Sequence, residues 1–146
     1  MILVSACLCG ENCKYSGGNN KNKKVLDFIK DKEVVCICPE ELGGLSTPRN
    51  PAEIIGSAKG VLDNKDKIIT NDDKDVTLEF LRGAVESLKI AKENKVELAI
   101  LKAKSPSCGK GMVYDGTFSN IKIKGNGVTA QLFIDNNIKV LTEDDV

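Results

Sequence analysis

Six cysteines, Cys7, Cys9, Cys13, Cys36, Cys38 and Cys108, stand in a chain of 146 residues that contains no histidine. Without histidine the chain lacks the commonest general base near neutral pH and the commonest nitrogen ligand for metals. Its chemistry must therefore run on Cys, Ser, Lys, Tyr and carboxylates. The opening Met1-Ile2-Leu3-Val4-Ser5 has neither the basic start nor the longer apolar stretch of a secretory signal. It reads as the native start of a cytoplasmic protein. Structural disulfides are rare in that reducing compartment, so metal binding or thiol chemistry becomes the leading explanation for the cysteines.

Spacing leaves several uses open. Cys7, Cys9 and Cys13 lie close together and Cys36 and Cys38 form a C-x-C pair, so four of them could build a structural zinc site. Zinc knuckles prefer C-x2-C steps, and this chain has none. Free cysteines also pack as small hydrophobes in ordinary cores. In extended backbone Cys9 and Cys36 point away from Cys7 and Cys38, which favours one ligand from each pair. Three thiolates from separate loops can hold a cubane iron–sulfur cluster at three irons and leave the fourth without a protein ligand.

The elements that must position these residues follow from periodicity. Residues 2 to 5 read as a short buried strand, leading into a turn-rich segment from Cys7 to Asn20. An amphipathic helix is expected over 21–31, and a β-branched strand from Glu33 to Cys38. With Pro39, Gly43, Gly44, Pro48 and Pro51, residues 39 to 52 read as a long irregular loop of the functional kind. Glu53 to Ser57, Gly60 to Leu62 and Lys67 to Thr70 read as three short pieces of an antiparallel excursion beside the main sheet. Asp73 or Asp75 can cap a helix with the apolar face Leu78, Leu81, Ala84, Val85, Leu88 and Ala91. A strand at Glu97 to Lys102 delivers the chain to Cys108, a short helix is expected over Val128 to Asn136, and Ile138 to Leu141 forms a last strand.

Alternating strands and helices imply one Rossmann-like α/β domain over residues 1–146, a mostly parallel sheet covered by helices with a small β excursion around residues 53–70. Ligands of such sheets bind beyond the carboxyl ends of the strands. That places Cys7, Cys38 and Cys108 at one edge. Lys plus Arg equals Asp plus Glu at 21 each and aromatics make up 4%, which makes polymeric nucleic acid an unexpected partner. No apolar run reaches the length of a membrane span.

The motifs Val4-Ser5-Ala6-Cys7-Leu8-Cys9-Gly10, Tyr15-Ser16-Gly17, Cys38-Pro39-Glu40, Gly44-Leu45, Pro48-Arg49, Ser105-Pro106-Ser107-Cys108-Gly109, Tyr114-Asp115-Gly116 and Gly127-Val128-Thr129-Ala130 occur in order along nearly the whole chain. This set resembles the thiouracil desulfurase (TudS, YbbK-like) family. The resemblance implies a [4Fe–4S] cluster on Cys7, Cys38 and Cys108 and removal of sulfur from a thiolated pyrimidine such as 2-thiouracil. Cys9, Cys13 and Cys36 lie outside the three ligand motifs.

In the non-redox mechanism that the resemblance implies, sulfur binds the open iron and water attacks the carbon. Glu40 or Glu41 then becomes the candidate for proton transfer, set against a cap on the following turn. Ser105 and Ser107 can orient water or bind the pyrimidine edge, or simply build the Ser-Pro turn. Arg49 can hold a carbonyl or carboxylate of the substrate, or pin its loop to Glu53. Gly109 allows close backbone approach to cluster or ligand. Lys102, Lys104 and Tyr15 are lesser candidates. The competing functions are a sulfur-transfer accessory in nucleobase or tRNA thiolation, and a structural zinc or metal-binding module.

Overall fold

The computed structural model describes all 146 residues. Four parallel strands form its centre: β1 (Ile2–Ser5), β2 (Val34–Ile37), β5 (Leu98–Leu101) and β8 (Lys139–Thr142), in the order β2-β1-β5-β8. A parallel sheet is covered on both faces, so its central strands are apolar throughout rather than alternating. Leu3, Val4, Ala99, Ile100 and Leu101 are all fully buried. Each larger one contributes roughly 1.5–3 kcal/mol by leaving water.

The two faces carry different helices. Ile2, Val4 and Ile100 pack with Val25, Phe28 and Ile29 of α1 (Lys23–Ile29). Asn22 starts that helix by accepting from the Val25 amide at 3.1 Å. On the opposite face Leu3, Ala99, Leu101 and Val140 meet Leu88 and Ala91 of α4 (Thr77–Glu93) and Ala130 and Phe133 of α5 (Val128–Asp135). The parallel, helix-covered sheet thus stands as the residue pattern implies.

Three regions differ from the sequence expectation. The segment 39–52 opens with a short helix, α2 (Pro39–Leu42), before becoming irregular. The excursion keeps an antiparallel pair, β3 (Ala52–Ile55) with β4 (Lys67–Thr70), but its middle piece is a helix, α3 (Ala58–Leu62). Ser57 caps α3 by accepting from the Gly60 amide at 3.0 Å, a start signal that a short apolar run conceals. The stretch before α5 contains a hairpin of β6 (Met112–Tyr114) and β7 (Lys122–Lys124), whose three-residue strands are too short to show a period. Asp75 sits beside the start of α4, its carboxylate accepting from the Thr77 amide at 2.9 Å. No helix is long and apolar enough to cross a membrane.

Candidate metal centre and substrate cavity

Each of the three expected ligand cysteines follows a parallel strand, and each is fixed by a different device. Cys7 lies in the 3-10 turn Ala6–Cys9 immediately after β1. Its carbonyl accepts from Gly10 at 3.2 Å and Asn20 at 2.9 Å, and Gly10 closes the turn at φ 101°, a conformation that favours glycine. Cys38 is the N-cap of α2, with Pro39 in the first helical position that its fixed φ suits. Cys108 closes a turn in which the Ser105 hydroxyl accepts from the amides of Ser107 at 3.1 Å and Cys108 at 3.0 Å.

Two close backbone approaches hold these arms against the helices. A Cβ on Gly83 of α4 would lie 2.0 Å from the Pro39 carbonyl oxygen, and one on Gly43 would lie 1.9 Å from the Glu79 carbonyl oxygen. Bare backbone on both sides lets α2 rest directly on α4. At the other arm, a Cβ on Gly127 would lie 2.4 Å from the Ser107 carbonyl carbon, so the start of α5 rests on the Cys108 turn.

The thiols share one electrostatic environment. Cys13 supplies a hydrogen bond to Cys7 that, against burial, brings the Cys7 thiol down to about 7. The same Cys13 thiol supports the thiolate of Cys38, held below its ordinary range with a smaller contribution from the Glu41 amide. Cys13 itself is pushed far up by hydrogen bonding to Cys38 and Cys7. Burial raises Cys108 to about 12, and the nearby charges of Cys7, Glu40 and Cys38 oppose its ionisation further. As they stand, the cysteines do not close into a set that would hold a single ion. A cubane asks instead for thiolates spread over separate irons.

All four thiols line one cavity of about 590 Å³, within the size range of small-molecule sites. Glu40 and Arg49 form part of its wall, joined by a 2.6 Å ion pair with both side chains largely buried. Arg49 Nη1 also donates to the Ser46 carbonyl at 3.2 Å and the Thr47 hydroxyl at 2.9 Å, and Nη2 to the Cys13 carbonyl at 2.8 Å. Four of the five guanidinium N–H bonds are thereby committed. Arg49 pins its loop to Glu40 rather than to Glu53.

Ser105 joins Cys7, Cys38, Cys108, Glu40 and Arg49 around the cavity, whereas Ser107, Glu41 and Gly109 do not line it. Ser107 is buried and its hydroxyl pairs with Thr129 at 2.7 Å. Glu41 is exposed and accepts from the Thr47 hydroxyl at 2.5 Å. Gly109 donates to the Ser105 carbonyl at 2.8 Å and would place a Cβ 2.7 Å from that oxygen, so its role is to close the turn.

The sequence offers Tyr15 as a lesser candidate and Cys13 only as a member of a zinc set, and gives no site role to Tyr114 or Phe118. Tyr15, Tyr114 and Phe118 line the mouth, and Glu53 reaches across from β3 to accept from the amides of Gly116 at 2.9 Å and Phe118 at 3.2 Å. A lone Phe in a turn carries no periodic signal. Cys13 was recoverable from its nearness to Cys7, but only the fold sets it beside Cys38. Cys9 and Cys36 face each other outside the cavity, 3.1 Å apart. Extended backbone does not explain Cys9, which sits in the 3-10 turn; the curl of that turn swings it towards β2.

Comparison with known proteins identifies relatives that share the fold and sequence of this chain. A solved structure described as the [4Fe–4S]-dependent thiouracil desulfidase TudS superposes with a TM-score of 0.88 at 37% identity, over 99% of this chain and 91% of that one. The uncharacterized protein YbbK of Bacillus subtilis (strain 168) is 46% identical over 147 residues, covering 100% of this chain and 97% of that protein. A profile of the family described as 2-thiouracil desulfurase matches residues 2–145. The chain belongs to the 2-thiouracil desulfurase family.

Proposed function

We propose that this protein hydrolyses the carbon–sulfur bond of a thiolated pyrimidine such as 2-thiouracil, using a [4Fe–4S] cluster held by Cys7, Cys38 and Cys108. One observation carries the reading: thiols from three separate strand ends open into a single cavity that also contains a fixed carboxylate, Glu40. The dependence of the structural neighbour TudS on a [4Fe–4S] cluster supports the choice of cofactor. With three cysteine ligands, the cluster supplies an iron free of protein that can bind and polarise a thiocarbonyl.

The residues of this chain then have separable tasks. Glu40 takes a proton from the attacking water and returns protons to the departing sulfur. The overall change is thiocarbonyl plus water to carbonyl plus hydrogen sulfide, with no electrons gained or lost. Arg49 holds the Glu40 carboxylate in place and has one N–H left for the cavity. Ser105 orients the Cys108 turn, with its hydroxyl hydrogen free to meet water or the pyrimidine edge. Tyr15, Tyr114 and Phe118 offer faces against which a planar ring can pack. Cys13 lies between the two ligands, where its single S–H can donate to Cys7 or to Cys38.

Metal analysis of protein prepared without oxygen tests the ligand set. Iron and acid-labile sulfide in near-equal amounts are expected in the native chain and lost in Cys108→Ala, while Cys36→Ala retains them. Zinc without iron, or equal loss from both variants, overturns the proposal.

A further inference from the structure

Cys9 and Cys36 take no part in the cavity, yet their sulfurs lie 3.1 Å apart. Twenty-seven residues separate them along the chain, and both are free thiols. Their meeting is set by the backbone. Cys36 lies opposite Val4 in the parallel register of β1 and β2, on the same sheet face as the turn that carries Cys9. β2 is an edge strand, and Cys36 is exposed while Cys9 is half-buried. A disulfide needs sulfurs about 2.05 Å apart, so the gap of roughly 1 Å lies within reach of small side-chain rotations.

We propose that Cys9 and Cys36 are an exchange site for low-molecular-weight disulfides of the glutathione type, forming a reversible bond that clasps the first two ligand-bearing segments together. The thiolate of exposed Cys36 attacks the small disulfide and releases one small thiol, leaving a mixed disulfide. Cys9 then attacks the Cys36 sulfur and releases the second small thiol. Two electrons pass from the protein thiols to the reagent, and both protons leave with the released thiols. The bond ties the residue two places after Cys7 to the residue two places before Cys38. It lies outside the cavity, so its formation leaves the ligand thiols free. The inference is independent of which substrate the cavity takes.

The test uses the full chain as purified without oxygen, incubated with oxidised glutathione, alkylated with iodoacetamide and digested with trypsin. Tandem mass spectrometry should find peptide 1–14 joined to peptide 33–49 with the link at Cys9 and Cys36, and reduction should reverse it. A stable glutathione adduct on Cys36 with Cys9 alkylated overturns the proposal, as does a link that runs to any other cysteine. Closing this loop should raise the melting temperature by roughly 6–12 °C. Cys36→Ser should show neither link nor rise. A bond that forms without any rise overturns the clasp.

Discussion

Arg49 Nε stands 2.6 Å from Glu40 Oε2, and the same guanidinium reaches the carbonyl of Cys13 at 2.8 Å. One side chain thus joins the carboxylate of the cavity to the peptide that carries the thiol between Cys7 and Cys38. Removing either end of the pair has different consequences.

Arg49→Ala leaves a mostly buried carboxylate without its partner and is expected to lower stability by about 3–5 kcal/mol. Arg49→Lys keeps the charge but cannot reproduce the four-bond fork, so it should retain part of the stability and lose activity. Urea denaturation of both variants checks the order.

Glu40→Gln keeps an acceptor for Arg49 and removes the group that moves the proton. Uracil formation should fall by roughly 10²- to 10⁴-fold, and the melting temperature should fall less than in Arg49→Ala, because the buried Arg49 charge loses its counter-ion but keeps a hydrogen-bond acceptor. A variant that keeps most of its rate would remove Glu40 from the proposed chemistry.

Gly83→Ala separates two opposing effects. Helix propensity favours alanine by about 1 kcal/mol. The new Cβ would lie 2.0 Å from the Pro39 carbonyl oxygen, backbone that moves only with α2. The clash is expected to win, giving a net loss of about 1–3 kcal/mol and reduced iron content, because Cys38 and Glu40 ride on the displaced segment. Thermal melts and iron assays measure the two effects together.

Ser105→Ala and Ser107→Ala should divide by role. Ser107→Ala strands the buried Thr129 hydroxyl and costs about 1–3 kcal/mol of stability. Ser105→Ala frees the amides that order the Cys108 turn and should lower turnover more than it lowers the melting temperature. Steady-state rates beside melting curves distinguish the pair.

Asp75 carries the acid dependence of the α4 start. Its bonds to Thr77 hold its carboxyl below the ordinary carboxylate range. The folded value is depressed, so the contribution is present above the unfolded value and lost as pH falls through the folded one. Asp75→Ala should cost about 0.5 kcal/mol or less near neutral pH, because solvent screens bonds on a side chain that is 49% exposed, and should flatten the stability profile at low pH. Urea midpoints across pH 2–7 test this.

The sheet was legible because β1, β2 and β5 are short apolar runs, each ending at a cysteine-bearing turn, and a buried parallel strand needs little else. α3 was hidden because five residues with one capping serine look like one more strand. Cys7, Cys38 and Cys108 could be placed together from strand ends alone. The wall of the cavity could not: Arg49 meeting Glu40, and Glu53 fixing Phe118, depend on how the irregular stretch 43–51 and the 115–121 turn fold back, and neither stretch has a period to read.

The most direct measurement of the central claim is uracil released from 2-thiouracil by the iron-loaded native chain under anaerobic conditions, quantified together with hydrogen sulfide. The proposed chemistry requires the two products in equal amounts over many turnovers with no added reductant. Iron-loaded protein that binds 2-thiouracil and yields no uracil, or yields it only when a reductant is supplied, would contradict hydrolytic desulfuration at this site.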